Sequence, residues 1–325
     1  MLSAPEYIMG TQGFAGAWTD SNVSELVVRL DEAEIKHYDT AQLYPITNPG
    51  GSERLLRSIK RPDFVIDTKI LFRPEALSKQ KIDESIRSSL ENLGLTKVNT
   101  LYAHAPDKLT SIADQALNFN QLHKAGYFDK LGLCNYSPAQ LTEWIEIATE
   151  KNYIQPSVYQ GQYNIFCRQY EKELFPLLRK HGITFIANSP LAGGFATGKL
   201  TFAKDAEQLK GTRFEQSDGN MMGYLYRMWY DKPVFNDAVQ QLVTAVDGDR
   251  DGLAQVSMRW LLFHSGLKSS DKVAIGPTKV SQLEDYLTAR QVGPLPKDLA
   301  ATIDLLYEPM REEAAPLVEV GWWSM

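Results

Sequence analysis

Short apolar runs alternate with longer amphipathic stretches from one end of the chain to the other. Eight runs read as strands, over 7–13, 36–40, 64–70, 99–105, 130–135, 157–163, 184–189 and 273–276. Intervening stretches over 21–34, 79–93, 110–124, 138–151, 169–180 and 253–265 read as helices. In the second of these, Ile82, Ile86, Leu90 and Leu93 recur at spacings of 4, 4 and 3, which lines them along one helical face. Strand–helix alternation predicts a parallel sheet covered by helices. Eight such units predict an α/β fold of the (β/α)8 barrel type, one domain over 1–325, rather than an open doubly wound sheet. An open sheet binding a dinucleotide would carry G-x-G-x-x-G after an early strand, and none follows these. About 45 residues separate the seventh strand, ending near Ser189, from a helix around Phe235. Loops that long inside compact domains are usually functional. This loop and the C-terminal tail are expected over the C-terminal face of the barrel.

Composition narrows the class. The apolar fraction is 43% and the charged fraction 23%, an ordinary globular balance. Lys and Arg total 34 against 40 Asp and Glu, a net charge of −6, which argues against a nucleic-acid partner. Two cysteines, Cys134 and Cys167, are too few for a disulfide framework. The first residues lack a basic segment followed by an apolar one, and no apolar run of about 18 residues exists. A cytoplasmic protein without a membrane span is expected.

Four consecutive strand units end in polar or ionisable residues. HYDTAQLY supplies Asp39 and Tyr44, FVIDTKI supplies Lys69, LYAHAPD supplies His104 and LGLCNYS supplies Asn135. In a barrel all C-terminal strand ends open onto one face, so these side chains would converge. Tyrosine titrates near 10, and bringing it toward 7 requires about 4 kcal/mol. A lysine ammonium about 4 Å away supplies a term of that order at an effective dielectric of 20. Asp39 would keep Lys69 charged, and His104 would orient a carbonyl. The group suits carbonyl reduction, with Tyr44 as the acid and hydride from a nicotinamide. Each residue also has a plainer reading. Lys69 could pair with Asp67 on the same strand face, His104 could be a core histidine, and Asp39 could cap the following turn.

The chain resembles the aldo-keto reductases, most closely the aflatoxin-aldehyde (succinic semialdehyde) reductase subfamily. The motifs that carry the resemblance are YDTAQLY (38–44), TKI (68–70), HAPD (104–107), LGLCNYS (131–137), PSVYQGQYN (156–164), RQYEKELFPLLRKHGI (168–183), SPLAGGFATGKL (189–200) and GPTKVSQLE (276–284). It implies that Tyr44 is the general acid/base, that Lys69 lowers its pKa, that Asp39 supports Lys69 beside the nicotinamide ribose, and that His104 orients the substrate. Asn135 and Gln160, with Cys134 beside them, would hold the carboxamide. The loop 189–199 would wrap the pyrophosphate through Ser189, Leu191, Gly193, Gly194 and Lys199. The stretch from Gly276 to Glu284 would grip a 2′-phosphate through Thr278, Lys279 and Gln282, which makes the cofactor NADPH (NADP+). Lys199, Lys210, Arg213 and Lys279 would form the basic patch that an acidic protein needs for such an anion. No metal belongs to this reading.

Three positions depart from the pattern. Asn188 stands where relatives stack an aromatic residue on the nicotinamide, Cys134 stands for a usual Ser, and Tyr286 stands for a usual Asn near the adenine. The long loop carries Tyr224, Arg227 and Trp229. The resemblance makes Arg227 a partner for a substrate carboxylate and Tyr224 a substrate contact. No arginine follows Arg311 in the tail, so no second carboxylate contact is expected. A larger or aromatic carbonyl substrate is expected. Trp322 and Trp323 would either line the pocket or pack on the barrel. The resemblance also implies a homodimer. Two other readings stay open: an NADPH-binding regulatory subunit with little turnover, and an aldolase with Lys69 as Schiff base. Asp39 speaks against the aldolase, because it would keep that lysine protonated.

Overall fold

The computed structural model describes residues 4–217, 220–249 and 252–319. All eight expected strands form: β1 (Glu6–Gly10), β2 (His37–Asp39), β3 (Val65–Lys69), β4 (Val98–Ala103), β5 (Phe128–Cys134), β6 (Pro156–Gln162), β7 (Thr184–Asn188) and β8 (Lys272–Ile275). They pair in parallel in chain order, and β8 returns to β1 to close the barrel. Several strands stop short of their expected ends. At β5 and β7 the next residues, Asn135 and Ser189, take left-handed backbone with φ of 65° and 51°, which a strand cannot continue through. Those residues turn out of the sheet at its C-terminal rim.

The helix Lys79–Leu93 forms over the expected span, buries Ile82, Ile86, Leu90 and Leu93, and ends at Gly94 with φ 60°. Pro138–Glu150 starts on a capping box between Ser137 and Gln140, with proline in its first turn. The helix expected over 169–180 splits into a 3₁₀ turn at Gln169–Glu171 and a helix at Leu174–Lys180. A continuous helix would drive the Pro176 ring into the carbonyl of Lys172, whereas a fresh start at Leu174 places the proline in a first turn.

The connection after β7 is not an open loop. It holds short helical turns and the helix Met221–Tyr230 before Pro233–Ala245 begins. A final helix, Lys297–Glu319, packs on Pro233–Ala245 and brings Leu317 to the cleft described below. Trp322 and Trp323 lie outside the described residues.

Two apolar layers result. Ile8, Tyr102, Cys134, Val158, Ile186 and Ala274 form a small cluster inside the barrel, separate from the larger core between sheet and helices. Among the described residues no helix is long and apolar enough to cross a membrane.

Candidate active site

A cleft of about 850 Å³ opens at the C-terminal ends of the strands and receives Asp39, Tyr44, His104, Asn135 and Gln160. That volume suits a large bound molecule. Lys69 sits just beneath, 1% exposed. Its Nζ donates to Asp39 Oδ2 at 2.6 Å and to the Thr40 carbonyl at 2.9 Å. Gln160 Nε2 donates to the other Asp39 oxygen at 3.0 Å, so the carboxylate is held from two sides. Asp67 is occupied elsewhere, with His37 at 2.7 Å and with Asn99 and the Thr100 N–H, which excludes the Lys69–Asp67 pair. The Tyr44 ring centroid lies 5.3 Å from Lys69 Nζ, and the Tyr44 and His104 rings meet edge to face at 5.8 Å. Asn135 Nδ2 donates to the His104 carbonyl at 2.9 Å and so ties the ends of β4 and β5 together.

Burial works against the Lys69 charge, but Asp39, with Tyr44 and Cys134 adding to it, outweighs burial and raises the lysine pKa. The aldolase reading, which needs a readily deprotonated lysine, loses its footing. Burial, with Lys69 adding to it, holds His104 well below the ordinary histidine range, so it is neutral at pH 7. Burial also pushes the Tyr44 phenol up to about 12, and the opposing pull of Lys69 does not overcome it. Lys69 alone therefore does not bring Tyr44 toward neutrality: desolvating the phenolate costs more than the lysine returns. The Cys134 thiol, raised mainly by burial, stays neutral.

The other end of the cleft is cationic. Lys199, Lys210, Arg213 and Lys279 all line it, as do Ser189, Leu191, Gly193, Gly194, Gly276, Thr278 and Gln282. Gly193 and Gly194 have φ of 69° and 103°, and a Cβ on Gly193 would meet the Tyr226 ring at 2.1 Å. Arg213 Nη1 donates to Gln12 Oε1 at 2.8 Å and to the Tyr226 hydroxyl at 3.0 Å. The N–H and hydroxyl of Thr278 donate to Gln282 Oε1, just before the helix Val280–Val292.

Three expected residues fall outside the cleft. Glu284 is held by Arg29 at 2.6 Å. Tyr224 is 51% exposed on the outer side of Met221–Tyr230. Arg227 is bonded to Asp231 and Gln216. A helical turn explains the last two. Met222, Tyr226 and Trp229, spaced 4 and 3, share the face that lines the cleft, and Tyr224 and Arg227 point elsewhere. That spacing is visible in the sequence once the segment is read as helix.

A tyrosine set above a buried ion pair, beside a cationic cradle walled by glycine, marks a barrel whose candidate site lies at the C-terminal rim of its strands. Known proteins narrow the class. The model of the Aldo/keto reductase family matches residues 6–308. Aflatoxin B1 aldehyde reductase member 2 of Rattus norvegicus is 32% identical over 90% of this chain and 81% of that protein. The Mus musculus protein of the same name is 33% identical over 95% and 86%. Oxidoreductase sirO of Leptosphaeria maculans is 31% identical over 96% of each. The chain belongs to the aldo/keto reductase family. It is an oxidoreductase of carbonyl compounds that works with a nicotinamide cofactor.

Proposed function

We propose that the protein reduces an aldehyde or ketone to the alcohol with NADPH, that Tyr44 supplies the proton, and that the substrate is a larger or aromatic carbonyl compound. The observation that carries this is the Asp39–Lys69 pair set beneath Tyr44 in a cleft whose far end is cationic. The residues present fit a dinucleotide. Gly193 and Gly194 leave backbone open to a phosphate, Lys199 and Arg213 supply charge there, and Thr278, Lys279 and Gln282 would hold a 2′-phosphate at a helix start. Asn135 and Gln160 would hold the carboxamide, and Tyr286 would stack on the adenine. A reduced nicotinamide bound in this cleft supplies the hydride.

The side chains do the rest. Neutral His104 donates a hydrogen bond to the substrate oxygen and fixes its place. As negative charge builds on that oxygen, the Tyr44 hydroxyl proton moves to it. The ammonium of Lys69 stabilises the phenolate left behind, which matters most in a site that burial makes hostile to anions. Asp39 and Gln160 keep that ammonium charged and aimed.

Selectivity follows from the walls. Leu43 and Ile46 flank Tyr44, and Met222 and Trp229 line the same cleft. Arg227, engaged by Asp231 and Gln216, lies outside the cleft and does not offer its guanidinium to a substrate carboxylate there. The reading is tested by following NADPH absorbance with 4-nitrobenzaldehyde and with succinic semialdehyde. Turnover that favours the aromatic aldehyde and falls at least about 100-fold in Tyr44→Phe supports it. NADPH binding without turnover across a varied carbonyl panel overturns it in favour of a regulatory subunit, and a best rate with succinic semialdehyde overturns the substrate class.

A further inference from the structure

Lys69, Tyr102 and Gly132 are register partners across β3, β4 and β5. Tyr102 is fully buried and belongs to the cluster inside the barrel. Its ring occupies the space where a side chain of β5 would stand, because a Cβ on Gly132 would fall 2.2 Å from Cδ1 and 2.3 Å from Cε1 of that ring. In this position the ring centroid lies 5.5 Å from Lys69 Nζ, nearly the same as the 5.3 Å to the Tyr44 ring. The ammonium therefore rests among two oxygen acceptors, Asp39 Oδ2 and the Thr40 carbonyl, and two aromatic rings. A lysine ammonium has three donors, and two are taken by those oxygens. An aromatic ring near the cation stabilises it electrostatically and excludes water from its underside.

We infer that Tyr102 is a positioning residue for proton transfer: its ring, admitted by Gly132, floors the Lys69 ammonium and keeps it charged and directed at Tyr44. The inference rests on Tyr44 being the acid, as proposed above. An aliphatic side chain at 102 lacks the electron-rich face and lets Lys69 settle away from Tyr44. Tyr44 then becomes a weaker acid, and its proton is lost at higher pH. Nothing in this chain of effects touches the cationic end of the cleft or the apolar wall.

The experiment compares wild type with Tyr102→Leu, Tyr102→Phe and Gly132→Ala. It records kcat against pH with NADPH and 4-nitrobenzaldehyde, KM, NADPH affinity by fluorescence titration, and Tm. In Tyr102→Leu, kcat falls about three- to tenfold and the alkaline limb moves up by about one pH unit, while KM and NADPH affinity stay within about twofold. Tyr102→Phe keeps the wild-type limb, because the ring and not the hydroxyl faces the ammonium. Gly132→Ala moves the limb in the same direction as Tyr102→Leu by displacing the ring. A folded Tyr102→Leu or Gly132→Ala protein with an unshifted limb and unchanged kcat overturns the inference. If Tyr102→Leu does not fold, Gly132→Ala decides. A wild type that oxidises no NADPH overturns the reductase reading instead, so the two failures are distinguishable.

Discussion

Replacing Lys69 by methionine strips the positive partner from a carboxylate that is almost wholly buried. At the observed 2.6 Å and an effective dielectric of about 20, the Coulomb attraction between the two groups is about 6 kcal/mol. Part of that offsets the cost of burying both charges, and breaking one side of a buried pair costs about 3–5 kcal/mol net. Among the described residues Asp39 then keeps only the Gln160 amide, at 3.0 Å, as side-chain partner. Against a total stability of about 5–15 kcal/mol, the loss is severe. Urea unfolding followed by tryptophan fluorescence at pH 7.5 measures it. Lys69→Met is expected to lose about 3–5 kcal/mol, and the double variant Asp39→Asn/Lys69→Met, which removes the stranded charge, is expected to regain most of it. A double variant as unstable as the single one would refute the reasoning, because the cost would then lie in packing around residue 69 and not in an orphaned carboxylate.

Other consequences can be checked separately. His104 sits well below its ordinary pKa through burial and then Lys69, so the unfolded chain binds its proton first and stability falls as pH drops below about 6.5. Acid titration of Tm should be shallower in His104→Gln, and an unchanged slope would contradict the assignment. Trp229→Ala should raise KM for 4-nitrobenzaldehyde by about tenfold or more through lost aromatic contact, while Arg227→Ala stays within about twofold. The opposite ranking would mean that the helix Met221–Tyr230 presents its other face. Gly193→Ala combines a φ of 69° with a Cβ against the Tyr226 ring and should weaken NADPH binding at least about tenfold in fluorescence titration. Lys279→Ala should weaken NADPH binding and leave NADH binding nearly unchanged; equal loss for both would remove Lys279 from the 2′-phosphate.

The convergence of the proposed catalytic group was legible because strand ends are rigid. Asp39, Lys69 and His104 follow directly from apolar runs, and the barrel brings them to one rim whatever the loops do. Arg227 misled because the connection after β7 shows no clean period. Its aromatic residues Tyr224, Tyr226, Trp229 and Tyr230 fall on more than one side, and only the folded helix sorts the inner from the outer. Glu284 misled differently: a motif places a residue near a site, but Arg29, from a helix far away in sequence, claims its carboxylate. The state of Tyr44 was beyond the sequence because burial depth is a tertiary quantity. The same lysine that pulls the phenol down sits in surroundings that push it up harder.

The proposed division of the cleft follows the chain. The proton-transfer group comes from β2, β3 and β4, and the cationic cradle comes from segments after β7 and β8. The halves meet at two seams, β4 against β5 and β8 against β1, and the second closes the ring. An N-terminal half-barrel would therefore carry an acid with no cofactor, and a C-terminal half a cradle with nothing to protonate. Turnover is in this sense a signal of ring closure. On the proposed reading, a lesion that parts the β1–β8 seam silences the chemistry even where Asp39, Tyr44, Lys69 and His104 keep their places.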